Sequence, residues 1–459
     1  MFSSKKSDTL LAAIRDGKTM TRSDKLHLII GLSIPSILAQ ITSVLMFFID
    51  ASMVGRLGAR PSASIGLVES SSWLFGSITS AASMGFSVQV AHFIGANDFV
   101  KARQVFRHAL IATTLLSLVM TVAAAAIAFP LPHWLGGGDD IAHDASLYFL
   151  IFALAGPFFQ LVNLSGAMLK CSGNMRIPSI VSVLMCALDV CFNYLFIFIC
   201  GLGVAGAALG TALAIFIGAG VEAYFAIFHN KILALHLDNT KLVWVGDYIR
   251  NAFKIGGPMA LQSILMGGAQ IVSTIIVAPL GNIAIATNTF AITAESLCYM
   301  PGYGIGDAAT TLVGQSTGAR RIDVCRSFAH MTVALAMLVM TFMGIVMYVF
   351  APEMIGFLSP VEEIRSLGTS ALRIEAFAEP MFAASIVVFS VCVGAGDTLK
   401  PALINLGSIW LVRLTLAACL APTYGLKGVW FAMAVELTFR GTLFLIRLFR
   451  GRWMKKLAS

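Results

Sequence analysis

The chain has 459 residues, of which 58% are hydrophobic and 12% charged, with a mean hydropathy of +0.86. Soluble domains carry about a quarter charged residues, so a soluble globular protein is excluded and a polytopic, all-α integral membrane protein is indicated. The net charge of +8 would suggest nucleic acid in a soluble protein; here it reports membrane topology, and no nucleic-acid partner is expected.

Taken in order, residues 1–27 are polar and basic with no cleavable apolar core, which predicts a cytoplasmic N-terminal segment and a first span that stays in the mature protein. Apolar windows of about 20 residues then predict twelve spans, near 28–51, 62–94, 107–130, 143–170, 177–199 and 203–228, and again near 251–279, 284–318, 329–351, 366–394, 400–422 and 425–448. Residues 229–250 form the longest connection between them, and 449–459 a tail. Shifted by 223 residues, the chain matches itself: Pro35 meets Pro258, Gly58 meets Gly281, Arg103 meets Arg326, Pro157 meets Pro380 and Gly173 meets Gly396. The reading is therefore one six-span unit built twice, an N-lobe (28–228) and a C-lobe (251–448) joined by a cytoplasmic linker (229–250). An even number of spans per copy makes the copies parallel repeats about a pseudo-two-fold axis along the bilayer normal. The linker is the hinge candidate, with a passive tether as the alternative, and a binding site is expected between the halves.

Basic residues set the orientation. Twenty-five fall on the side of the N-terminus against Arg56, Arg60, Arg365, Arg373 and Lys427 on the other, which predicts a cytoplasmic (inner) membrane location with both termini cytoplasmic. The bilayer is the expected partner, and the protein is expected to be a monomer. The basic stretches after Gly95 and Gly318 are expected to be short interfacial helices. Small-residue runs in spans six and eight predict close helix packing, and the eight cysteines, without CxxC or histidine at ligand spacing, are expected to be packing residues.

Acids inside the spans are the sharpest signal, since each costs about 2.5–3.5 kcal/mol at a helix centre. Asp50, Glu69, Asp189, Glu295, Asp307, Glu375, Glu379 and Glu436 face only Arg373 and Arg413, a balance that favours a cation. Asp50 closes the first span and reads either as a cation ligand or as a solvated helix end beside Arg56. Asp189 lies mid-span, one turn before Asn193 and on the same face, where it could take and release a proton near neutral pH or, with Asp50, offer oxygens to Na⁺. Asn163 on the fourth span could add another ligand. Glu295 and Asp307 share the eighth span, about 18 Å apart along its axis, and Tyr299 could stack on a flat cation. With Gln40 of the first span, these form the expected substrate-facing group; the competing account pairs the acids with Arg413 or Arg373 as structural bridges. Glu375 and Glu379 with Arg373 fit that bland reading better.

The segments "DASMVGRLG" (from Asp50), "FNYLFIF" followed by "GLGVAGAALGTA", and "TTLVGQSTGA" (from Thr310), set in twelve duplicated spans, resemble the MATE (multidrug and toxic compound extrusion) family along nearly the whole chain. The resemblance implies export of organic cations and multiple drugs by alternating access, coupled to H⁺ or Na⁺ influx, with no cofactor beyond that ion. It also implies that Asp50 is the family's first-span acid, with Asn163, Asp189 and Asn193 completing an N-lobe cation site. The sequence departs by placing Asp189 before Asn193 and by offering Met266 where one branch has a seventh-span Glu; Glu295 is then the substitute. The nearest alternative is a lipid-linked sugar flippase, whose pyrophosphate cargo would call for an Arg- and Lys-rich cavity. An integral-membrane enzyme is disfavoured: the chain has no HExxH and no Gly-rich phosphate loop.

Overall fold

In the computed structural model, residues 4–457 are described. The extreme ends of the expected N-terminal segment and C-terminal tail lie outside the described residues, as do the side chains of Lys455 and Lys456. The first series of helices is α1 (Ser4–Arg15), α2 (Arg22–Gly55), α3 (Ala59–Gly95), α4 (Phe99–Ile127), the single turn α5 (Leu131–Trp134), α6 (Asp139–Leu154), α7 (Gly156–Cys171), α8 (Arg176–Tyr194) and α9 (Gly203–Tyr224). The second is α10 (Gly246–Val277), α11 (Asn282–Gly318), α12 (Ile322–Leu358), α13 (Glu362–Ala376), α14 (Glu379–Gly394), α15 (Leu399–Gly407), α16 (Leu414–Tyr424) and α17 (Leu426–Arg450). Among the described residues there is no strand.

Eight single spans and two bent pairs, α6 with α7 (46°) and α13 with α14 (59°), are long and apolar enough to cross a bilayer. The remaining two of the twelve spans are α3 and α11, each 37 residues long. At about 1.5 Å per residue they outreach a hydrocarbon core of about 30 Å. Their low hydropathy has a physical reason: Thr79, Ser83 and Gln89 of α3, and Thr311, Gln315 and Ser316 of α11, are buried against protein, where lipid never meets them. The fold is thus an all-helical membrane protein of twelve spans in two six-span lobes.

The repeat extends to the backbone. Asn97 and Arg320 are the non-glycine residues with positive φ among those described, at 58° and 55°, and they stand 223 residues apart, closing α3 and α11 in the left-handed conformation common at helix ends. The expected interfacial helices are absent at these points. Asp98 accepts a hydrogen bond from the Lys101 amide at 3.2 Å and caps α4 directly, and no breaker follows before Ile127, so the basic stretch forms the first turns of the span itself.

Packing exchanges two half-helices between two compact units. One unit contains the chain up to Gln40 together with everything from Leu261 onward; the other runs from Ile41 to Ala260. In the first unit the opening half of α2 lies on α11 so closely that a Cβ on Gly304 would sit 2.6 Å from the Ile37 nitrogen. Gly302 and Gly306 admit Met340 and Ser390, which is the close packing the small-residue run predicts. The helix α1 also belongs here, with Leu11 and Ile14 buried and the Ala13 carbonyl accepting from Arg321 at 3.2 Å. In the second unit the opening half of α10 lies on α3, with Gly256 against the Ala81 carbonyl and Gly85 against that of Ala252. Its core joins Phe86, Ile94, Phe106, Leu164 and Met168 to Leu233 of the linker.

The linker differs from the expected free hinge: it is fastened to α4. Asp238 accepts from Arg103 at 2.9 Å and Arg107 at 3.2 Å, and Gln104 donates to the Lys241 carbonyl at 3.0 Å. Burial works against the Asp238 charge, but hydrogen bonds from Thr240, Arg103 and Arg107 outweigh it and hold the carboxyl down at about 2. His108 is fully buried: its Nε2 accepts from the Val245 amide at 2.9 Å, and its ring stacks on Trp244 at 5.1 Å. Among the cysteines, Cys171, Cys298, Cys325 and Cys392 are buried, and all eight are free thiols.

Candidate functional site

Each unit holds one constellation of acids. In the unit spanning Ile41–Ala260, α2 carries Asp50 and α8 carries Asp189 and Asn193. Asp189 and Asn193 are one helical turn apart, and both are sealed from solvent, at 0% and 1% exposure. The Asn193 amide nitrogen donates to Asp50 Oδ1 at 2.8 Å and to Asp189 Oδ2 at 3.3 Å, so a single amide holds two carboxylates together. Two acceptors remain open: Asp189 Oδ1 and Asn193 Oδ1 are buried with no hydrogen-bond partner. A cluster of acceptor oxygens with no donor suits a hard cation or a proton and little else; Asp50 and Asp189 could be the Na⁺ ligands.

The position of that amide is set by the next helix. Gly210 of α9 leaves no room for a Cβ, which would collide with the Asn193 side-chain oxygen, and Gly206 lies against the Phe196 carbonyl, 2.7 Å from where its Cβ would be. The small-residue run of span six is therefore a packing surface that fixes the site. Immediately after Tyr194 the chain widens into a π-helical turn, Leu195–Ile199, a distortion common beside functional groups. Asn163 is turned elsewhere: it donates to the Phe159 carbonyl at 3.1 Å and to Thr79 at 3.4 Å. Tyr148 was not apparent from sequence, but lies within electrostatic reach of Asp50, Glu69 and Asp189. Glu69 itself accepts from Trp73 at 3.4 Å near the surface.

In the other unit the acids are more numerous and deeper. Glu295 of α11 meets Glu375 of α13 and Glu379 of α14, each offering an oxygen within 4.8 Å of the others. Glu375 and Glu379 are fully buried, and all four of their oxygens lack a hydrogen-bond partner. Three carboxyls at this spacing need protons or a bound cation between them. Beside them lies an ion-paired group with one positive charge to spare: Arg413 donates to Glu436 at 2.6 Å, and Arg440 pairs with the same carboxylate at 3.0 Å. Glu436 is thus the partner of both arginines, while Arg373 pairs with neither Glu375 nor Glu379 and donates instead to the Tyr348 carbonyl at 3.1 Å. Glu436 and Arg440 are one turn apart on α17, a spacing visible in the sequence, whereas Glu375 and Glu379 stand on either side of the break between α13 and α14.

Gln40 and Asp307 are brought together within this unit: Asp307 Oδ2 accepts from Gln40 at 3.3 Å and from Ser36 at 2.7 Å. Tyr299 lies in an aromatic group, its ring centroid 5.3 Å from Phe382 and 5.9 Å from Tyr303.

Comparison with known proteins agrees with the fold. A probable multidrug resistance protein NorM of Thermotoga maritima is 25% identical over 434 residues, covering 93% of each chain, and one of Oceanobacillus iheyensis is 24% identical, covering 94% of this chain and 98% of its own. The backbone matches a crystal structure of MATE in complex with MaL6 at TM-score 0.90 and 20% identity, covering 99% of this chain and 100% of that one. It also matches the outward-facing conformation of a multidrug resistance MATE family transporter at TM-score 0.90 and 20% identity, covering 100% and 99%. The MatE family model fits twice, over residues 35–195 and 258–419, so its two copies begin at Pro35 and Pro258, the same 223-residue offset that aligns the chain with itself. The chain therefore belongs to the MatE family of membrane transporters.

Proposed function

We propose that this transporter is an antiporter that exports organic cations, multiple drugs among them, across the cytoplasmic membrane. Inward movement of H⁺ or Na⁺ drives it, with both termini cytoplasmic, lobes at 28–228 and 251–448, and a monomer as the working unit. The observation that carries the reading is the buried Asp189: its Oδ1 and the Asn193 Oδ1 have no partner, and a second carboxylate, Asp50, hangs on the same amide. One positive charge satisfies these oxygens. A site that holds a cation in one state and must release it in another converts ion flow into a conformational bias. Exchange of one ion for one monovalent organic cation moves no net charge, so the ion's concentration gradient supplies the drive: a tenfold gradient is worth about 1.4 kcal/mol and sustains about a tenfold substrate gradient. The Glu295, Glu375 and Glu379 cluster is the substrate-side counterpart, an anionic patch whose charge an organic cation can replace. Names of the relatives support the cargo class: those from Thermotoga maritima and Oceanobacillus iheyensis are probable multidrug resistance proteins.

The reading is tested with purified protein in liposomes loaded with ethidium, on which an inward-directed pH gradient or Na⁺ gradient is then imposed. Antiport predicts that ethidium dissipates one of the two gradients faster in the presence of the protein. If neither changes while the protein is inserted and monodisperse, the antiport reading fails.

A further inference from the structure

The 59° break between α13 and α14 falls at Phe377 and Ala378, and the notch it leaves is a cavity of about 580 Å³. Its walls are Tyr348 of α12, Phe377, and Phe431, Val435 and Thr438 of α17, and Arg373 is its cation. None of the three clustered glutamates lines it. The guanidinium spans the mouth of the notch in a defined way: Nε donates to the Tyr348 carbonyl at 3.1 Å, and the charged carbon lies 5.2 Å from the Tyr348 ring centroid. That leaves the Nη donors of the guanidinium fork unused, and among the described residues no carboxylate pairs with it. Three other arginines of this unit each have an acid: Arg413 and Arg440 share Glu436, and Arg447 holds Asp397.

The depth suits a lipid. Tyr348 lies ten residues before the end of α12 at Leu358, and Phe431 five residues after the start of α17 at Leu426. At about 1.5 Å per residue, the notch begins roughly 8 Å and ends roughly 18 Å below the helix ends on the side opposite the termini, with Arg373 about 16 Å below the start of α13. From that depth the long arginine stem can extend toward the headgroup layer. Phe377 and Phe431 are 78% and 54% exposed, an aromatic wall beside an unpaired fork whose geometry matches phosphate oxygens.

From this placement we infer that the notch is a binding site for one anionic phospholipid of the leaflet opposite the termini, with its phosphate on Arg373 and its chains along Phe377 and Phe431. The lipid supplies the counter-charge that the protein does not, and it braces the broken helix that carries both Glu375 and Glu379.

Native mass spectrometry of the purified full-length chain with equal amounts of dioleoylphosphatidylglycerol and dioleoylphosphatidylcholine tests the site. The wild type should keep one phosphatidylglycerol as the last adduct lost. Arg373→Gln should lower that adduct about tenfold, the loss of one charge-assisted hydrogen bond, while Arg373→Lys should keep most of it. Val435→Phe, which fills the notch and leaves the arginine in place, should lose the adduct as well, so misfolding around one residue cannot imitate the result. Equal retention by wild type and Arg373→Gln, equal retention of the two lipids, or displacement of phosphatidylglycerol by millimolar inorganic phosphate would each overturn the assignment.

Discussion

The two copies of this chain share their backbone punctuation and differ in their charge. At the 223-residue offset, Asp50 and Asp189 fall on Ser273 and Val412, while Glu295, Glu375 and Glu379 fall on Ser72, Phe152 and Gly156. The first copy keeps two carboxylates on one amide and has no arginine among them. The second keeps three clustered carboxyls next to two arginines that share the single carboxylate of Glu436. The shared helices carry different intramembrane charges, and under the proposed function these divide the roles: a small oxygen site for an inorganic cation in one copy, a broader acidic patch in the other.

The largest effect expected concerns the ion-paired group of the second copy. Glu436→Gln leaves Arg413 and Arg440 buried without an anion, and should cost about 3–5 kcal/mol, read as a lower unfolding midpoint in detergent. Next is the ion site. Asp189→Asn should leave the fold intact but abolish the response of transport to the ion gradient, whereas Glu295→Gln should keep that response and raise the apparent KM for an organic cation by roughly 10- to 100-fold, the worth of one charge-assisted contact. If the two substitutions behave alike, the division of roles between the copies is wrong. Gly210→Ala pushes the Asn193 side chain aside and should destabilise by about 1–3 kcal/mol. It should also weaken coupling, although residue 210 bears no charge.

The smallest effect concerns the linker. The Asp238 carboxyl is depressed from 3.8 to about 2 in the folded chain, so its contribution is fully present above about pH 4 and is lost as pH falls through about 2. Hydrogen exchange at the Val245 amide should therefore stay slow at pH 5 in the wild type and become fast in Asp238→Asn. Fast exchange in the wild type as well would return the linker to the role of a loose tether.

Much of this was legible from residue order because a membrane span is a coarse signal. Length and hydropathy located the spans, the 223-residue offset exposed the duplication, and Asp189 with Asn193 announced itself by helical spacing alone. Even α3 and α11, whose buried polar residues lower their hydropathy, stood out as the apolar windows 62–94 and 284–318. What escaped were contacts between helices that sequence does not order. Nothing in the linker shows that Asp238 meets Arg103 and Arg107 of α4, since that pairing spans about 130 residues and depends on Leu233 entering the core. Likewise Arg373 sits two residues from Glu375, close enough in sequence to suggest a pair, but adjacent positions on a helix face apart. The same geometry that separated them brought Glu295 from another helix to Glu375. Asn163 was placed with the acids by resemblance, and its amide is bonded to Thr79 and Phe159 in this conformation.

The central claim is that one buried carboxylate converts ion flow into export. Its most direct test is uptake of a fluorescent organic cation into everted vesicles, driven by an imposed pH gradient or an imposed Na⁺ gradient, with wild type and Asp189→Asn compared at equal expression. The account predicts uptake that follows one gradient in the wild type and vanishes in the variant. Uptake that persists unchanged in Asp189→Asn, or that ignores both gradients in the wild type, would contradict it.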